Sequence, residues 1–141
     1  MSSIGPPFFR PVYLLQAEGL CTLIASFVAY HSLFPHHWIL FAWLFFIPDL
    51  SLLGYLQGAH PLASAVYNVM HTYALPALLG IVAAFLHNVV LGEMSLIWVG
   101  HIGMDRSLGY GLKYPASFQF THIQSAANPL ILPDITRDSK T

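Results

Sequence analysis

Apolar residues fall into four long runs, broken by short turns rich in proline, glycine and polar residues. The runs cover Val12–Leu33, His37–Gln57, Leu62–Leu86 and Met94–Leu112. At about 1.5 Å of rise per helical residue, each is long enough to cross a hydrocarbon layer roughly 30 Å thick. The first opens after Pro11 and closes before Pro35, and the second begins with an aromatic-rich stretch suited to a membrane interface. A Gly58–Pro61 turn separates the second run from the third, and a short connection at Asn88–Glu93 separates the third from the fourth. Pro76 lies inside the third run, where it predicts a bend rather than an end.

Polar residues interrupt these runs in a pattern. Glu18 sits near the start of the first run, Asp49 near the end of the second, Asn68 and His71 near the start of the third, and Asp105 near the end of the fourth. Alternating span directions bring all of them to roughly 10 Å from one boundary, with His101 about one turn deeper. Ser64, Asn68 and His71 share one helical face, as do His101 and Asp105, because residues three and four apart are neighbours on a helix.

Composition supports a membrane-embedded chain: 56% of the 141 residues are hydrophobic and 8% are charged, against roughly 25% charged in a soluble domain. The predicted fold is all-α, a four-helix transmembrane bundle forming a single multi-pass integral membrane domain. A soluble helical bundle is the lesser alternative. The first run lacks the short apolar core and cleavage site of a signal peptide and is read as retained. Arg10 precedes it and Lys113, Arg137 and Lys140 follow the fourth run, while the connections on the other side carry no Lys or Arg, so both termini are expected to be cytoplasmic. The tail 114–141 ends polar, and its last ten residues are expected to be disordered. A net charge of -1 with no basic run leaves no footprint for nucleic acid. Cys21, the single cysteine, excludes an intrachain disulfide and reads as a packing residue. Neither organelle nor oligomeric state is written in the chain.

Ionisable residues inside apolar spans are costly enough to mark a pathway or a reactive site. The alternative is interhelical glue, which suits Ser64 and Asn68 better than it suits Glu18, Asp49, His71, His101 and Asp105 together. Arg106 shares a face with Tyr110 and Lys113, and either enters the pocket or snorkels to lipid headgroups. His31, His36 and His37 cluster at the far interface with no carboxylate beside them, and interfacial solvation explains them. It also explains His60, His87 and His122.

Several strings resemble one family. PDLSLLGY at Pro48–Tyr55, YNVMHTY at Tyr67–Tyr73, HIGMDRSLGYGLKYP at His101–Pro115, THI from Thr121 and QAEG at Gln16–Gly19 are similar to motifs of domain-of-unknown-function family 4260. The resemblance covers most of the chain and implies a small four-span membrane protein. It implies no reaction, so the residues themselves must carry the functional reading.

Three chemistries fit them. In acid–base catalysis on a lipophilic small molecule, one carboxylate activates water or an internal hydroxyl and another, held protonated by burial, protonates the leaving oxygen. Epoxide hydrolysis or epoxide-opening cyclisation of a polyketide or terpenoid suits this pair. Asp49, Asp105, Arg106, Asn68 and Tyr67 are similar in kind to the Asp-Arg-Asp, Tyr and Asn set of limonene-type epoxide hydrolases, an analogy of chemistry on an unrelated architecture. Asp49 and Asp105 are the expected acid–base pair, with His71 and His101 orienting or exchanging protons. Glu18, Asn68, Tyr67 and Arg106 are expected to position water or substrate. A metal enzyme, with His71, His101 and one of Asp49, Asp105 or Glu18 as ligands to zinc or iron, is the second alternative, weakened because no span carries the Glu-x-x-His spacing of bundle metal sites. No metal or cofactor is therefore expected. The non-enzymatic alternative is a proton or solute transporter or a lipid-binding protein. The collection of polar residues in one half of the spans speaks against transport.

Overall fold

The computed structural model describes residues 11–57 and 61–113. Every regular element in it is helical: α1 Pro11–Leu33, α2 Trp38–Phe45, a 3₁₀ helix Ile47–Gln57, α3 Pro61–Met70, α4 Ala74–Leu86 and α5 Val89–Ser107. The Arg10, His60 and His122 positions and the tail 114–141 lie outside the described residues.

Two prolines shape the middle of the chain. Pro48 has no N–H to return to the carbonyl of Leu44, and the α-helical path gives way there to a 3₁₀ path, with the Asp49 N–H bonding Phe46 O at 3.1 Å. The bend predicted from Pro76 is present one turn ahead of it. Pro76 cannot bond the Thr72 carbonyl and its ring crowds that group, so the helix breaks over His71–Tyr73 and α3 and α4 meet at 43°. The carbonyls released by the break are taken up by α5, where Trp98 Nε1 donates to Met70 O at 2.8 Å and Arg106 Nη2 to His71 O at 3.3 Å.

α5 corrects the expected bounds of the fourth run, starting at Val89 rather than Met94 and ending at Ser107 rather than Leu112. Asn88 is its N-cap, accepting from Leu91 N at 3.1 Å, so Glu93 is a helical residue and not part of a connection. At the other end Gly109 takes a left-handed φ of 86°, and Tyr110 N bonds Asp105 O at 2.8 Å, closing the helix and turning the chain back.

α1 lies directly on α5. A Cβ at Gly19 would stand 2.5 Å from Arg106 Cβ, and one at Gly103 would stand 2.8 Å from the backbone nitrogen of Leu23. The two backbones therefore cross at these glycines, as small residues permit. Beside the crossing, Tyr30, Phe41, Phe45 and Ile97 form an aromatic-rich core among α1, α2 and α5. Leu14, Ile24, Val28, Trp43, Leu56 and Phe85 are turned outward.

α1 and the stretch Trp38–Leu56 are each long and apolar enough to cross a membrane, and α3 with α4 makes a third if the bent pair is one span. α5 has 19 residues, a comparable length, but includes Glu93, Asp105 and Arg106.

Candidate functional site

Four of the predicted residues converge. Asp49 comes from the start of the 3₁₀ helix, His71 from the α3–α4 break, and His101 and Asp105 from successive turns of α5. One ligand atom from each lies within 4.8 Å of every other. His71 Nε2 is 3.4 Å from His101 Nε2, 3.4 Å from Asp105 Oδ2 and 3.5 Å from Asp49 Oδ1. His101 Nε2 is 3.5 Å from Asp49 Oδ1 and 3.8 Å from Asp105 Oδ2.

Local structure holds each ring. The break after Met70 leaves His71 as the last residue wound onto α3, its N–H bonded to Tyr67 O at 2.9 Å. Its ring Nδ1 reaches the same carbonyl at 2.9 Å, and the Tyr67 ring stacks on it at 3.9 Å. A carbonyl only accepts, so Nδ1 carries the proton and a neutral His71 presents the Nε2 lone pair to the cluster. His101 is fully buried, with its ring edge-on to Phe45 at 5.5 Å. Its Nδ1 finds no hydrogen-bond partner among the described residues.

Tyr67 therefore supports the site by positioning His71. Asn68 lies outside the four-residue cluster: its Oδ1 accepts from Lys113 N at 2.7 Å and its Nδ2 donates to Lys113 O at 2.9 Å, fastening the segment after α5 against α3. That segment carries Lys113 over the rings of Tyr67 and Tyr55, at 4.4 and 4.9 Å. Burial pushes the Lys113 ammonium below the usual lysine range, and the nearby Asp105 and Asp49 carboxylates oppose the shift.

Glu18 does not join the cluster. It is exposed, and it lines a groove between α1 and α5 with Gly19, Cys21, Thr22, Tyr73 and Arg106. Arg106 thus faces that groove while its guanidinium bonds the His71 carbonyl, one peptide away from the cluster. A second cavity, of about 70 Å³, is almost wholly apolar and is lined by residues including Ile47, Pro48, Met70, Ile97 and Trp98. Pro48 and Met70 immediately precede Asp49 and His71 in the chain, but none of the four clustered residues lines this cavity.

Glu93 was missed by the sequence reading. It is buried at 1% exposure at the opposite end of α5, accepting from Tyr30 Oη at 2.5 Å, with His37 Nδ1 at 3.0 Å. The far-side histidines therefore do have a carboxylate beside one of them. Asn88 ahead of an apolar run was the signal that would have put Glu93 on a helix.

No curated protein and no solved structure matches the chain. Residues 12–126 match the family described as "Domain of unknown function (DUF4260)", a stretch that contains the four clustered residues and every motif quoted above, and the chain belongs to that family.

Proposed function

We propose that this protein is a multi-pass membrane enzyme whose reactive centre is formed by Asp49, His71, His101 and Asp105, and that it opens an epoxide or similar electrophile on a lipophilic small molecule. One observation carries the reading: two carboxylates and two imidazoles from three separate stretches of chain bring ligand atoms within 4.8 Å of one another in a helical body with largely apolar outer faces. Such a cluster is expensive to assemble as packing alone. The apolar outer faces of the helices support a hydrophobic substrate that reaches the site from lipid. In this account four spans cross the membrane, with both termini cytoplasmic. α5 serves as the fourth because Glu93 and His101 are turned inward, while Val89, Val90 and Met94 face out.

The reaction adds water across a carbon–oxygen bond. The water oxygen attacks an epoxide carbon and gives its proton to one carboxylate of the Asp49–Asp105 pair. The carbon–oxygen bond breaks, its electron pair stays on the epoxide oxygen, and that oxygen takes a proton from the other carboxyl group through the imidazoles between them. In cyclisation an internal hydroxyl replaces water.

Membranes containing the protein, incubated with terpenoid and polyketide epoxides in ¹⁸O-water, should yield diols carrying the label, or cyclic ethers without it. Asp49→Asn and Asp105→Asn should abolish either product while leaving the folded yield unchanged. Absence of turnover from folded protein, together with proton flux in liposomes, would instead favour transport.

A further inference from the structure

The spacing within the cluster is unusual for hydrogen bonding and ordinary for metal coordination. The five distances among the two Nε2 atoms and the carboxylate oxygens run from 3.4 to 3.8 Å, longer than the usual span of about 2.7–3.2 Å for N–H···O bonds. Four polar groups thus gather around one point at distances longer than the usual hydrogen bond. Ligands on a tetrahedral ion at about 2.0–2.1 Å stand about 3.4 Å apart, close to these five distances, and all four ligand atoms lie within 4.8 Å of one another.

We propose that Asp49, His71, His101 and Asp105 bind a divalent first-row transition-metal ion of the zinc or iron type. The proposal rests on reading these four residues as the reactive centre, and it reverses the preference for metal-free chemistry drawn from the sequence.

Three further features point to such an ion. His71 donates Nδ1–H to the Tyr67 carbonyl, the outer contact that fixes a metal-ligating imidazole and directs its other lone pair at the ion. Two imidazoles with two carboxylates suit zinc and iron, whereas magnesium and calcium prefer oxygen alone. The two carboxylates bring a charge of about -2 to a site whose imidazoles are fully or nearly fully buried, and a divalent ion balances that charge with both rings neutral. The Asp49 side chain remains 34% exposed against 13% for Asp105, so the site is open on the Asp49 side. Water or the epoxide oxygen reaches the ion there. The ion lowers the pKa of bound water or polarises the carbon–oxygen bond, the steps assigned above to the carboxyl pair.

The test uses the full chain, purified in detergent without chelator and analysed for metals. The expected content is about one zinc or iron ion per chain, falling below about one tenth in His71→Ala and in His101→Ala, with the exposed His31→Ala as an unaffected control. Zinc(II) added to chelator-treated protein should raise its unfolding midpoint, and magnesium should not. If the alanine variants fail to fold, Asp49→Asn and His71→Gln give the same comparison through the visible absorption of bound cobalt(II). Folded wild-type protein that holds no stoichiometric ion even after zinc addition overturns the proposal, as does an ion retained in both histidine variants. Turnover that survives complete metal removal also overturns it while leaving the enzymatic reading standing. A bound ion without epoxide turnover supports the metal site and removes the proposed reaction.

Discussion

Asn68 commits both ends of its amide to the backbone of Lys113 and so ties the segment after α5 to α3. Asn68→Ala removes two hydrogen bonds and should cost about 1–3 kcal/mol, read as a lower thermal unfolding midpoint, with the metal-to-protein ratio unchanged. Asn68 shares the helix face of His71, as its spacing predicts, and its amide is spent on the Lys113 backbone. Asp49, His71, His101 and Asp105 were legible because depth along a span and the three- and four-residue spacings are both properties of linear sequence. Glu18 fails by rotation. It lies at the expected height, but it precedes Gly19, the residue whose face packs on α5, and about 100° of helical turn carries it into the neighbouring groove. Depth fixes height and leaves azimuth to tertiary packing.

Among the elements, proline and glycine decide how the site is held. Pro76 breaks the helix at His71–Tyr73, and the break lets the His71 ring turn onto Tyr67 O and into the cluster. Pro76→Ala restores the missing donor and favours a continuous helix. It should reduce turnover and metal content while preserving or raising thermal stability, a split that a merely structural proline would not produce. Gly103 has the opposite character: its added Cβ would stand 2.8 Å from Leu23 N and 2.9 Å from Gly19 O, both backbone atoms that cannot step aside. Gly103→Ala should cost about 1–3 kcal/mol through overpacking and lower the yield of folded protein. The existence and order of the long apolar elements were readable from hydropathy. Their breaks were readable only in part, because hydropathy does not register the shift from α to 3₁₀ winding at Pro48, and it passed over the Asn88 cap that starts α5 five residues ahead of Met94.

At the scale of the molecule, Glu93, His71 and His101 are buried beside the aromatic core while many large apolar side chains face outward, as suits a chain solvated by lipid. In a Cys21→Ser background, cysteines replacing Arg10 and His60 should react with an impermeant reagent from the cytoplasmic side, and one replacing His36 should not. Labelling of the His36 and His60 positions from the same side would contradict four spans. Glu93, Tyr30 and His37 pin the α1–α2 turn to the start of α5, away from the four-residue cluster. The central claim is that Asp49, His71, His101 and Asp105 act as one centre. It is tested most directly by comparing turnover of a lipophilic epoxide in Asp49→Asn, Asp105→Asn and the double variant, each verified as folded. Residues that act as a unit are non-additive, so each single change should cost at least about 100-fold and the double change little more than either. Near wild-type turnover in either single variant, or losses that multiply in the double, would contradict the account.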